Sequence, residues 1–230
     1  MRTLTKDVRD ALSPTEVVNA LRKGNERFQQ NLKANRNLLQ QVNETRDGQH
    51  PMAIVLSCID SRTSAELIFD QGLGDIFSVR IAGNVLNEDI LGSMEFACKV
   101  AGSKAIVVLG HSKCGAVKGA CDGVELGNLS GLLHKIQDAV RLETTVTGER
   151  SSKNAAFVEK VAAINVMLVK QQIIARSPVL AEMIDAGELA LVGGMYDVDS
   201  GAVTFYDAQM LLGTLALVDP ASAAAAASAA

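Results

Sequence analysis

The chain has 230 residues, which argues for one domain, or one domain with an appended arm. Apolar residues make up 48% and charged residues 21%, so a sizeable core can form and wholesale disorder is excluded. A net charge of −4, two Tyr and no Trp leave no basic, aromatic-rich surface, so no nucleic-acid partner is expected.

Residues 1–50 are polar and helical in character. Ser13, Pro14 and Glu16 form a capping box with proline at the first helical position. Val17, Val18, Leu21, Phe28 and Leu32 then give one apolar stripe opposite a face of Lys, Arg, Asn, Glu and Gln. Such a helix must lie on something, either its own sheet or a second subunit.

From Met52 the pattern changes. The run Met52–Ser57 is short and continuously apolar, as in a strand buried on both faces. Ile76–Ile81, Ala105–Leu109 and Leu189–Gly193 are expected to be further strands. Val203–Tyr206, after a turn at Asp199–Gly201, suits an antiparallel edge strand. Between them lie three amphipathic patterns: Ile90, Met94, Ala97 and Ala101; Leu129 to Val140; and Phe157, Val161, Ile164 and Leu168. Strands alternating with helices predict an α/β fold. Its central sheet should be mostly parallel, with four strands and the antiparallel edge strand. The expected organisation is a helical arm over 1–50, an α/β catalytic domain over 51–215, and a low-complexity Ala/Ser tail over 216–230 without function.

No apolar run approaches the roughly 18 residues of a membrane span, and no long apolar stretch near the N-terminus reads as a secretory signal. A cytoplasmic protein without a membrane partner is the expectation. Cys58, Cys98, Cys114 and Cys121 are too few for a disulfide scaffold in a chain this long, so thiols or metal ligands are the better reading.

In open α/β sheets, chemistry sits at the carboxyl ends of strands. The first strand runs into Cys58, Asp60 and Arg62, and the third into His111 and Cys114. If these strands are neighbours, Cys58, His111 and Cys114 converge. Singly, each reads as a buried core residue. Together they offer sulfur and nitrogen donors that suit one Zn²⁺ per chain, with the fourth position left for water. Cys114 also opens the following helix, whose positive end favours a thiolate. Two thiolates and a neutral imidazole cancel the charge of the ion, so its water is less acidic than in an all-histidine site and needs help. Asp60 can either accept a hydrogen bond from that oxygen or ligate the metal itself. Arg62 can clamp Asp60 through a bidentate ion pair. Cys98 and Cys121 read as small hydrophobes. His50 and His134 read as surface or core residues, with His50 a weak candidate for a proton shuttle. Gly72–Gly74 reads as a turn rather than a phosphate loop.

With these residues in place, the sequence resembles the β-class carbonic anhydrases. The pattern Cys58-x-Asp60-x-Arg62 with His111-x-x-Cys114 is joined by Val79–Asn84, Gly92–Ala97 and Val107–Ser112, in order and at similar spacing, over roughly residues 14–210. The resemblance implies Cys58, His111 and Cys114 as zinc ligands and Asp60 and Arg62 as a catalytic dyad. It implies Gln49 as a donor to bicarbonate and Phe77 on the wall of the carbon dioxide pocket. Phe96 stands in that pocket region where plant-type relatives often carry Tyr. Family members with a regulatory bicarbonate site carry Trp three residues before the first zinc cysteine. Val55 stands there, so a plant-type-like, always-open site is expected. The resemblance also implies a homodimer or a dimer of dimers embraced by the N-terminal helices, with Gln49 or Phe77 reaching across the interface. Three rivals share the motif: a carbon disulfide or carbonyl sulfide hydrolase, a non-catalytic zinc protein with Asp60 as fourth ligand, and a cysteine nucleophile paired with His111.

Overall fold

The computed structural model describes residues 2–206. The expected Ala/Ser tail, and the end of the expected catalytic domain, lie outside the described residues. Ahead of the sheet come α1 (Lys6–Ala11), α2 (Pro14–Gln29) and α3 (Leu38–Thr45). The body then runs through β1 (Ala53–Ser57), α4 (Ala65–Ile68), β2 (Ile76–Arg80), α5 (Glu88–Glu95) and β3 (Ala105–His111). It continues through α6 (Gly115–Cys121), α7 (Gly127–His134), α8 (Gln137–Leu142), α9 (Ala155–Arg176), α10 (Pro178–Asp185), β4 (Ala190–Tyr196) and β5 (Val203–Tyr206). No helix among the described residues is long and apolar enough to cross a membrane.

The strands lie in the order β2-β1-β3-β4-β5. The first four pair in parallel and β5 pairs antiparallel with β4. β1 and β3 are buried along their whole length, as their unbroken apolar runs require. Their side chains alternate between two cores. Ala53, Val55, Val107 and Leu109 meet Val17 and Leu21 of α2. Ile54, Leu56, Ile106 and Val108 meet Met94 of α5 and Val166 of α9 on the other face. Val55 is fully buried.

The chain leaves β1 toward β2 on one side and returns to β3 on the other. The β1/β3 boundary is therefore the switch point of the sheet, where successive connections part and open a crevice at the carboxyl ends. Register fixes what meets there. Ser57 lies beside Leu109, so Cys58 follows at the level of Gly110, one residue before His111. Gly110 has no room for a side chain: a Cβ would stand 2.6 Å from Met195 Sδ and 2.7 Å from Val166 Cγ2.

The Ser13–Glu16 capping box forms as expected, with Ser13 N–H donating to Glu16 at 2.8 Å and Glu16 N–H to Ser13 at 3.3 Å. Three expectations need correction. The stripe of α2 stops before Leu32, because Asn31 takes a left-handed conformation (φ 55°) and turns Leu32 out to solvent. The pattern from Ile90 to Ala101 is not one α-helix. It widens into a π turn over Phe96–Val100, closed by Ala101 N–H to Phe96 C=O at 2.8 Å. The pattern from Leu129 to Val140 breaks at Lys135 and Ile136, where tighter bonds to Leu132 and Leu133 drop Ile136 into the core.

The segment between α2 and α3 is pinned to the body through Asp70. Its buried carboxylate accepts from Arg27 Nε at 2.5 Å, Arg36 at 2.5 Å and Ala34 N–H at 3.1 Å. Burial pushes the Asp70 carboxyl up, but the bonds from Arg27 and Arg36 outweigh it and the net shift is downward. A carboxyl with a depressed folded value stabilises the fold above its ordinary value and ceases to as pH falls through the folded value. Asp70→Asn removes the carboxylate charge that faces Arg27 and the buried Arg36. It should lower stability by about 3 kcal/mol in urea titrations at neutral pH, and the deficit should shrink below the ordinary aspartate range. Coincident neutral-pH curves would refute the anchor.

Candidate metal centre

The ends of β1 and β3 bring Cys58, His111 and Cys114 together. Their ligand atoms lie within 4.8 Å of one another, and all three residues are buried. Cys58 and Cys114 sulfurs stand 4.0 Å apart.

The chemistry of this donor set fits a soft divalent cation. The Cys58 thiol is drawn down, first by its bond with Cys114 and further by the backbone amides of Asp60 and Gly83. Cys114 is driven up, first by facing Cys58 and then by burial. Two thiols so close cannot both ionise without a cation between them. His111 Nδ1 lies 2.9 Å from the carbonyl oxygen of Ser112, which can only accept, so Nδ1 carries the proton. Nε2 is left with its lone pair, buried and without a hydrogen-bond partner. A buried nitrogen left so is costly unless something takes that lone pair.

Cys114 is the N-cap of α6. The turn from His111 to Cys114 passes through Lys113 in a left-handed conformation (φ 57°), at a cost of about 1 kcal/mol for a non-glycine residue. It is held there from outside. Lys113 N–H donates to Glu159 at 2.9 Å, and Lys113 Nζ pairs with Asp199 at 2.6 Å. Ser112 Oγ donates to Asp197 at 3.2 Å and accepts from Val198 N–H at 2.9 Å.

The other loop carries Asp60 and Arg62. Arg62 donates its backbone N–H and Nε to Asp60 Oδ1 at 3.0 and 2.9 Å, and its terminal nitrogen to Oδ2 at 2.7 Å. Arg62 holds the Asp60 carboxyl well below the usual carboxylate range. Asp60 stands outside the three-residue cluster. This loop is fastened by two residues to which the motifs gave no role. Arg80 of β2 donates to the carbonyls of Cys58 at 3.0 Å and Asp60 at 2.6 Å. Thr63 Oγ lies 3.0 and 2.9 Å from the same two oxygens. The sequence signal for Arg80 is a charged residue inside an otherwise strand-like run.

The remaining named residues are not brought to this cluster within one chain. Gln49 is exposed and precedes β1, whereas Cys58 follows it. The five residues of β1 between them span about 16 Å at roughly 3.3 Å per residue. His50 lies at that same far end, and His134 is exposed on α7. Phe77 and Phe96 meet edge to face, centroids 6.3 Å apart, in a separate cleft of about 600 Å³ between β2 and α5 that Glu88 and Asp89 also line. The π turn leaves Phe96 half exposed. Burial pushes Cys98 up to about 12 and Cys121 up to about 11, so both stay thiols.

The family model described as carbonic anhydrase matches residues 53–203. Carbonic anhydrase 2 of Mycobacterium tuberculosis is 37% identical over 200 residues, which is 85% of this chain and 94% of that protein. A carbonic anhydrase of Mycolicibacterium smegmatis is 37% identical over 194 residues, covering 83% and 92%. Among solved structures, the β-carbonic anhydrase CafA of Aspergillus fumigatus superposes with a TM-score of 0.64 at 26% identity, over 88% of this chain and 96% of that one. A Sordaria macrospora β-carbonic anhydrase, described as tetrameric, gives 0.63 at 26% identity over 71% and 84%. Cluster, switch-point fold and kinship agree: the chain belongs to the carbonic anhydrase family, in its β class, whose general reaction is the hydration of carbon dioxide.

Proposed function

We propose that the chain hydrates carbon dioxide reversibly to bicarbonate with one Zn²⁺ held by Cys58, His111 and Cys114. The observation that carries this reading is the meeting of two sulfurs and an unpartnered imidazole nitrogen beside a carboxylate that is locked in its ionised form. Zn²⁺ at such a site supplies a Lewis acid that makes a nucleophile of water near neutral pH.

The protein's own groups do the rest. Asp60 Oδ1 already takes two hydrogen bonds from Arg62, whereas Oδ2 takes one and keeps a lone pair. That lone pair accepts a hydrogen from the attacking water and turns its reactive lone pair toward the carbon. Arg62 is the orienting partner. Its two-pronged grip leaves Asp60 neither free to rotate nor able to take up a proton at neutral pH. The same grip keeps Asp60 from the fourth ligand position, which supports an open site over a purely structural one. The proton released leaves to buffer, since His50 lies at the other end of β1.

Gln49, Phe77 and Phe96 complete the site, in this reading, from a second copy. What supports this is their distance from the cluster of their own chain, the place of β2 at the sheet edge, and the exposed Leu38, Leu39 and Val42 on α3. The Sordaria relative is described as tetrameric. Residues 1–50 then act as an arm around the partner, with 51–215 as the catalytic unit and a homodimer or a pair of dimers as the assembly.

The deciding measurement is stopped-flow carbon dioxide hydration on protein of known zinc content, from near-neutral to mildly alkaline pH. Fast turnover with one zinc per chain is expected. No turnover at full zinc content would overturn the reading, and turnover of carbon disulfide or carbonyl sulfide instead would identify the sulfur rival. Asp60→Asn should keep zinc and lose about 100-fold in kcat/KM, because the oriented acceptor is gone; full activity would remove Asp60 from the mechanism. Cys114→Ser should lose zinc, since a neutral hydroxyl is a poor ligand for it. Stoichiometric metal in that variant would show the ligand set to be wrong.

A further inference from the structure

A buried hydrogen-bond chain leads from helix α9 to the sulfur of Cys58. Asn165 is buried in α9, between turns of Val161, Ala162, Val166 and Val169 that are as buried as itself. An amide in such a stripe is expensive unless partnered. Its Nδ2 donates to the carbonyl of Gly83 at 2.9 Å. Gly83 in turn donates its backbone N–H to Cys58 Sγ at 3.3 Å.

Gly83 has little freedom of its own. It sits in the short turn Ala82–Asn84 that follows β2, in a left-handed conformation (φ 66°, ψ 16°). The turn is tied to β1 by Ile81 N–H to Ser57 C=O at 3.0 Å and closed by Asn84 N–H to Ile81 C=O at 2.9 Å. A Cβ on Gly83 would stand 2.6 Å from Ile136 Cδ1, the side chain that the break between α7 and α8 drops into the core. The position thus accepts only glycine, and Asn165 sets the tilt of its peptide by gripping Gly83's carbonyl from the helix opposite.

We propose that Asn165 is a positioning residue of the metal centre: it fixes Gly83 so that the N–H of Gly83 withdraws charge from the Cys58 thiolate. This inference rests on the proposed zinc reading and extends it. A site of two thiolates and one imidazole neutralises a divalent ion, which blunts its power to acidify water. An N–H aimed at one sulfur reduces that sulfur's donation and restores part of the positive charge felt at the open position. Outer contacts of this kind typically change metal affinity or activity 10- to 100-fold.

The test uses Asn165→Ala and Asn165→Asp in the full chain, loaded with Co²⁺ for spectroscopy and with Zn²⁺ for release to a chelator. Asn165→Asp keeps the shape but sets an acceptor against the Gly83 carbonyl. The sulfur-to-cobalt charge-transfer band should move to longer wavelength in both variants, because a sulfur without its N–H partner gives up electrons more readily. Zinc release should slow by up to about 10-fold, because the same freed sulfur donates more strongly to the ion. An unshifted band together with unchanged zinc release would overturn the inference, even if thermal unfolding came earlier, since a merely structural amide changes stability and leaves the sulfur alone. Should either variant fail to fold, Asn165→Ser, a smaller polar residue, gives the same two readings. A shifted band in a chain that hydrates no carbon dioxide would support the role of Asn165 while overturning the functional reading.

Discussion

Two thiols held 4.0 Å apart in a buried crevice set the terms for the rest of this structure. Cys114 resists ionising beside Cys58, and the nearby imidazole turns its only unprotonated nitrogen into the same space. Without a cation that arrangement is a cost. With one it becomes a ligand set of matched softness. Other features serve to keep these three groups in place. Parallel pairing of β1 with β3 sets their level, and the reversal of strand order opens the crevice above them.

Around the cluster, main-chain atoms are held by side chains from distant parts of the sequence. Arg80 grips the carbonyls of the Cys58–Thr63 loop from the edge strand. Asp197 and Glu159 hold the turn between His111 and Cys114 from β4's end and from α9. Charged and polar groups that would weaken an apolar core are here concentrated where backbone must take a shape it would not choose alone, as at Lys113.

Much of this was legible in the residues. Unbroken apolar runs marked β1 and β3 as central, and chemistry-bearing residues immediately after both runs pointed to the right crevice. The order of the strands follows from no local pattern, so the convergence of Cys58 with His111 was conditional on it. The helix breaks at Ile136 and at Phe96 were hidden because apolar spacing carries through a tight or a wide turn almost unchanged, while the face presented does not. Asn165 and Arg80 were hidden for a different reason. A polar residue in an apolar stripe announces that it has a partner, but only the packing of α9 and the β1/β2 register say which one. Gln49 and the two phenylalanines show the limit of motif spacing: Gln49 stands nine positions before Cys58, yet a strand between them sends them to opposite ends of the sheet.

The fastening of the Cys58–Thr63 loop has a consequence for variation. Arg80 and Thr63 bind the loop through carbonyl oxygens, atoms that every residue type supplies. Ile59 and Ser61, which alternate with the chemistry-bearing positions, project into solvent. The loop therefore keeps its course whatever side chains stand at those two places. That separates the part of the molecule that can drift, or be redesigned to change what approaches the crevice, from the part that must stay still for the crevice to hold a metal.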